Sequence, residues 1–106
     1  MKPPIIVDED GPVYIFEALR DAELYLEPID VKNSRYVAYD SEGRLLRLLP
    51  TEPRITIETA EAVPTHTSEL REALIGYLGY VGVTQEWLAT ASLQELVKKG
   101  LDYKTK

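Results

Sequence analysis

Tyr36-Val-Ala-Tyr-Asp-Ser-Glu-Gly43-Arg-Leu-Leu-Arg-Leu-Leu49 decides the architecture of this chain. Two apolar runs flank a polar turn, and Gly43 within that turn can adopt the positive φ that closes a hairpin. The stretch predicts two antiparallel strands in the middle of the sequence, around which the remaining segments must pack.

Toward the N-terminus, Ile5-Ile-Val7 and Val13-Tyr-Ile-Phe16 are short β-branched and aromatic runs separated by Asp8-Glu-Asp-Gly-Pro12. They predict a first hairpin, with Gly11 supplying the unusual backbone angle. Pro12 has no N–H for a ladder bond, so it belongs at the start of its strand or on a sheet edge. From Glu17 the period becomes helical: Leu19, Ala22 and Leu26 form a stripe widened by Ala18 and Tyr25. Pro28 disfavours helical geometry at Glu27 and ends this helix there or just before. The polar segment from Asp30 to Arg35 reads as loop.

Beyond the central hairpin, Arg54-Ile-Thr-Ile-Glu-Thr59 alternates as a strand with one wet face does. Thr67 or Ser68 can cap a helix whose stripe is Leu70, Ala73, Leu74, Tyr77, Leu78 and Val81. Thr84 can cap a short helix through Trp87 and Leu88. Ser92-Leu-Gln-Glu95 has the form of a capping box and opens a last helix, which Gly100 is expected to end. The order is ββαβββααα. It predicts a single α+β domain over residues 1–106, an antiparallel sheet of about five strands (two hairpins plus one strand) with helices packed on one face. A right-handed parallel crossover from the second strand through the first helix to the third strand satisfies the same order.

At 106 residues the chain is long enough to bury about 65% of the surface its unfolded form exposes. It has no cysteine, which removes disulfides, thiolate nucleophiles and thiolate metal sites. The opening Met-Lys-Pro-Pro-Ile-Ile-Val-Asp lacks the long apolar stretch of an export signal, so a cytoplasmic location is expected. No run approaches the roughly 20 apolar residues of a membrane span.

The net charge of −6 arises entirely in residues 1–30, which carry eight acids and two bases; residues 31–106 hold ten of each. Such a field opposes nucleic acid and steers a basic protein toward the N-terminal third.

Chemistry-bearing constellations are sparse. His66, the one histidine, precedes a helix among Pro, Thr and Ser, where an imidazole is usually solvated. Asp8-Glu-Asp-Gly11 imitates part of a calcium loop, but the position needing a bidentate Glu is Leu19. No catalytic residue, metal ligand or cofactor site is therefore assigned. Arg44 and Arg47 point to opposite strand faces and do not form a joint anion site. Gly76 and Gly79 lie inside an apolar helix, each costing roughly 1 kcal/mol relative to alanine; close approach of another backbone is the expected compensation. Seven tyrosines stand against one phenylalanine. If Tyr14 and Tyr39 share a sheet face turned from the helices, that face is open to a partner.

Two resemblances accompany these residues. Tyr39-Asp-Ser-Glu-Gly-Arg-Leu45 resembles one tyrosine–aspartate repeat of the large bacterial Rhs toxin shells. It is present in a single copy, whereas such shells need long arrays, so it signifies shared hairpin chemistry. Phe16-Glu17, Asp21-Ala-Glu23, Tyr25-Leu-Glu-Pro-Ile-Asp-Val31 and Tyr36-Val-Ala-Tyr-Asp40 resemble small uncharacterised bacterial α+β proteins of the immunity-protein type over residues 13–49. That likeness implies a binding protein that neutralises a toxin, and carries no functional residue across.

The expectation is thus a noncatalytic domain whose partner is another protein, a basic toxin domain in its most specific form. Glu17, Asp21, Glu23 and Glu27 would supply the acidic contacts, and Tyr14 and Tyr39 the anchors. The alternatives are a small-molecule-binding or carboxylate-based enzymatic domain, with its pocket beside the glycine-bearing helix, and a self-associating structural module.

Overall fold

The structure, a computed structural model, describes residues 1–104. Five strands, β1 (Ile5–Asp8), β2 (Val13–Phe16), β3 (Val37–Tyr39), β4 (Leu45–Thr51) and β5 (Arg54–Thr59), form one sheet in the spatial order β2-β1-β3-β4-β5. Every neighbouring pair is antiparallel. The helices are α1 (Leu19–Tyr25), α2 (Pro28–Lys32), α3 (Thr67–Tyr80), α4 (Gln85–Thr90) and α5 (Leu93–Lys104). The chain is an α+β protein with the strands and longer helices in the expected order. Among the described residues no helix is long and apolar enough to cross a membrane.

One detail departs from expectation. The polar stretch after Pro28 includes the short helix α2, because proline at the first helical position loses no hydrogen bond and already has the right φ. The connection from β2 to β3 is the parallel crossover that the element order leaves open. These strands run parallel to each other with β1 between them, so α1 and α2 pass across β1.

The helices lie on both faces of the sheet, not on one. Ile5, Ile6 and Val7 of β1 are all fully buried, which alternating side chains achieve only if both faces are covered. Ile6 packs with Val13, Ile15 and Tyr39 against α3, α4 and α5, through Leu70, Leu74, Leu78, Leu88 and Leu96. Ile5 and Val7 pack with Phe16, Ala38, Leu46, Ile55 and Ile57 against Ala22 and Leu26 at α1. The unbroken aliphatic run of β1 is the local mark of a doubly buried strand, whereas the alternation of β5 marks a strand wet on one side. Accordingly Arg47, Thr56 and Glu58 are exposed on β4 and β5.

The central hairpin closes as its sequence requires. Gly43 has φ 93°. Asp40, fully buried, accepts from the backbone N–H groups of Arg44 (2.9 Å), Glu42 (3.0 Å) and Lys2 (3.1 Å), and from the Arg44 guanidinium (3.2 Å). One carboxylate thereby shapes the loop and ties down the N-terminal segment. The Gly43 carbonyl accepts from the His66 N–H at 2.9 Å, docking the start of α3 on the same loop. That contact leaves His66, rather than Thr67 or Ser68, at the N-cap position of α3, with no side-chain cap. Thr84 does cap α4, and Ser92 and Glu95 exchange the two bonds of a capping box.

The glycines divide differently from the expectation. Gly100 does not end α5 but lies within it, where a methyl group would run into Ile15 Cδ1 of β2. A Cβ on Gly79 would meet only side-chain atoms, Gln85 Nε2 at 3.2 Å and Leu88 Cδ1 at 3.7 Å, and one on Gly76 would meet nothing within 4 Å. No backbone crowds either position. The close backbone approach is at Gly43, whose Cβ would fall 2.8 Å from Thr67 Cα.

A pair of substitutions checks this reading. Gly43→Ala combines a positive φ with a backbone clash and is expected to destabilise by about 2 kcal/mol or more. Gly76→Ala is expected to stabilise by up to about 1 kcal/mol through helix propensity alone. Urea unfolding midpoints measure both, and a neutral Gly43→Ala would refute the tight docking of α3 on the hairpin.

Candidate functional site

The turn joining β1 to β2 determines which backbone groups of β2 remain free. Asp10 (φ 51°) and Gly11 (φ 124°) both have positive φ, as a two-residue hairpin loop demands. Glu9 N–H donates to the Pro12 carbonyl at 2.8 Å, and Gly11 N–H to Asp8 Oδ1 at 3.0 Å. Bonded and non-bonded pairs alternate along an antiparallel ladder. With Glu9 and Pro12 bonded, the register makes Val7–Tyr14 and Ile5–Phe16 the next bonded pairs. The N–H and C=O groups of Val13 and Ile15 therefore point away from β1.

Among the described residues no strand lies beyond β2. The opposite edge of the sheet is partly covered: α1 packs beside β5, and Glu23 Oε2 accepts the outward N–H of Ile57 at 2.8 Å. No corresponding bond to the backbone of Val13 or Ile15 occurs among the described residues. The two edges of one sheet are thus treated differently.

The open edge is the floor of a groove of about 880 Å³. On the α1 side its wall is aromatic, with the Tyr25 ring centroid 5.3 Å from those of both Tyr14 and Phe16. On the other side stand Gly76, Tyr77, Tyr80 and Val81 from the end of α3, with Gly100 of α5 below. Gly11 and Pro12 line one end. Tyr25 is 48% exposed and Tyr80 90% exposed, so two large aromatic rings stand in water at the rims. The Tyr14 phenol is pushed up to about 12, first by the Tyr25 side chain against it, then by burial and the Glu9 carboxylate. It stays neutral at any physiological pH. Among the described residues no carboxylate lines the groove.

The acids expected to meet a partner are dispersed around this feature. Glu17 and Asp21 are exposed, Glu17 directly following Phe16 at one end of the floor. Asp8, Glu9 and Asp10 occupy the turn at the other end. Glu23 is instead engaged by Ile57, and Glu27 is exposed at the junction of α1 and α2. Of the two expected anchors, Tyr14 lines the groove and Tyr39 does not. Tyr39 is packed in the core against the α3–α5 layer, on the sheet face opposite to Tyr14. No shared tyrosine face exists, because helices cover both sides of these strands. Tyr25, Tyr77 and Tyr80 are the aromatic residues that sequence reasoning did not assign to a site. Gly76 was the available signal: an apolar helix with a glycine facing open space needs a reason for that space.

A second cluster surrounds Glu61. Its carboxylate accepts from Leu45 N–H (2.8 Å), Thr65 N–H (3.2 Å) and Thr65 Oγ1 (2.5 Å), and pairs with His66 Nδ1 (2.8 Å). Thr65 Oγ1 also contacts Nδ1, at 3.2 Å. Nucleophilic catalysis needs hydroxyl and acid on opposite ring nitrogens. Here both meet the same one, so the cluster is a structural knot beside β4. The Thr65 hydroxyl, the Leu45 N–H and His66 hold the Glu61 carboxyl down at about 2. Burial pushes the Asp40 carboxyl up, but the N–H groups of Arg44, Lys2 and Glu42 and the Arg44 guanidinium outweigh it and leave the carboxyl below its usual range. Arg47 pairs with Glu58 across the strands, apart from Arg44. Among the described residues no group of three or more His, Asp or Glu side chains is placed to hold a metal ion.

No protein-family model, curated protein or solved structure matches the chain, so the site is read from its own geometry.

The Glu61 knot has a pH signature. A carboxyl depressed in the folded state from 4.5 to about 2 adds stability that is present above pH 4.5 and is lost as pH falls toward 2. Asp40 acts with the same sign. The wild type is expected to lose stability progressively over that window, and Glu61→Gln to lose less of it, both followed by urea midpoints from neutral pH to about pH 3. Parallel curves for the two proteins would contradict the assignment.

Proposed function

We propose that this protein is a noncatalytic binding domain that captures a basic protein through the groove along β2. The observation that carries the reading is the pairing of an apolar sheet edge, left open at Val13 and Ile15 among the described residues, with acids at both its ends. Monomeric proteins rarely leave large apolar patches exposed unless a partner covers them. Aromatic rims are the usual anchors of such contacts, because tyrosine buries a large area at little cost in side-chain freedom. Glu9, Asp10, Glu17 and Asp21 lie in the strongly acidic N-terminal third and would accelerate encounter with a positively charged surface, while the aromatic walls would slow release.

An immunity-type inhibitor that covers a basic toxin is the most specific form of this reading, supported by the sequence likeness and by the charge distribution. The enzymatic alternative is less well supported. A groove does lie beside the glycine-bearing helix, but among the described residues no carboxylate, imidazole or amine lines it to polarise a substrate.

The test is differential capture from native cell extract, with mass-spectrometric identification, using the wild type, Gly76→Leu and a Glu17→Lys/Asp21→Lys double variant. The expected result is a basic protein retained by the wild type and lost with Gly76→Leu. With the charge variant its association should slow by roughly tenfold at low salt and less at high salt. A catch that is identical for all three folded proteins would refute the proposal.

A further inference from the structure

We infer that the groove binds its partner by strand addition: an extended segment, apolar at its centre and carrying Lys or Arg at both ends, pairs with β2 and continues the sheet. The inference rests on the proposed binding role and adds the mode and the chemistry of the ligand.

Three observations lead to it. First, Val13 and Ile15 each direct an N–H and a C=O into the groove with no partner among the described residues. A ligand offering only apolar surface would desolvate these groups without replacing their hydrogen bonds, which is costly. An extended backbone supplies the missing donors and acceptors at the right spacing. Second, the groove is walled on both sides, by Tyr14 and Tyr25 on one and by Tyr77 and Tyr80 on the other. Alternate side chains of an added strand point to opposite faces, so both alternations would meet apolar walls. The space over Gly76, where a Cβ would touch nothing within 4 Å, leaves room on that wall for ligand side chains. Third, the floor is short and acidic at each end, with Asp8, Glu9 and Asp10 before it and Glu17 and Asp21 after it; Arg20 is the only base in these flanking stretches.

The charge arrangement also selects the occupant. A second copy pairing its own β2 about a two-fold axis would set Glu9 and Asp10 of one chain beside Glu17 of the other, and like charges opposed across strands repel. A short edge strand bounded by Pro12 and by acids already discourages pairing between copies. A basic segment of a different protein turns the same charges into attraction.

The experiment uses the full chain, immobilised at low salt, to select from a random peptide library displayed on phage, with counter-selection on Gly76→Leu and on Tyr80→Ala. The second variant alters only an exposed side chain and so guards against misfolding of the first. Enriched peptides are synthesised with backbone N-methylation on one alternation or the other, and amide hydrogen exchange of Val13 and Ile15 is followed with and without peptide.

Strand addition is upheld if enriched peptides have basic ends around an apolar centre and lose roughly five- to tenfold affinity on N-methylation of one alternation only. The two amides should then exchange at least about tenfold more slowly in the complex. Groove-dependent peptides that tolerate N-methylation at every position and leave the two amides unprotected would overturn strand addition while sparing the binding role. Enrichment of no peptide sensitive to either variant would overturn both. Concentration-dependent dimerisation that protects the same amides would replace the basic segment with a second copy.

Discussion

The buried carboxylate of Asp40 holds together the parts of this molecule that local sequence preference leaves apart. It accepts from backbone groups on three residues and from one guanidinium, which together fix the loop between β3 and β4 and the segment preceding β1. Gly43, inside that loop, is the surface on which α3 docks. The carboxylate is tolerated in the interior because its oxygens accept from three backbone N–H groups and a guanidinium; an incompletely satisfied charge there would cost several kcal/mol. With β1, β3 and α3 set relative to one another, the α3–α5 layer has one position over β1 and β2. The end of α3 then stands beside the open strand.

The sheet cannot close on itself, so each of its ends leaves a row of polar groups to be satisfied. At β5 the chain supplies part of the solution, Glu23 reaching the Ile57 N–H. At β2 it builds walls without a lid. The helices that bury β1 on both faces extend past β2, and the gap between them becomes a slot. Gly100 allows α5 to sit directly on Ile15, while Gly76 keeps the upper part of the slot clear. The two glycines have opposite roles, one filled by a neighbour and the other facing open space.

Much of the fold was legible because its signals are local. The Gly43 hairpin, the Asp8–Pro12 turn with its positive φ at Gly11, the cap at Thr84 and the Ser92–Glu95 box each follow from a few consecutive residues and appear in the structure as read. The distribution of helices over two faces was misread although Ile5-Ile-Val7 carried the information, since three consecutive buried aliphatics leave no wet side. The short α2 was hidden by its polarity. The site was legible only in fragments. Of the acids flanking the groove, Glu17 and Asp21 were among the expected contacts, while Asp8, Glu9 and Asp10 were read only as a turn; Tyr14 lines the groove, whereas Tyr39 was drawn into the core by its register opposite Ile6. Tyr77 and Tyr80 joined the site only because β2, rather than β3 or β4, lies at the edge. Strand order depends on contacts between distant segments, which no window of sequence records.

The proposal that the β2 edge and its aromatic walls bind a partner is tested most directly by amide chemical-shift mapping of the full chain with a basic protein retained in the capture experiment. The largest changes are expected at Val13–Phe16 and along Gly76–Tyr80, with little change at Arg47, Thr56 and Glu58 on the exposed face of β4 and β5. Changes concentrated on that exposed face, with β2 undisturbed, would contradict it.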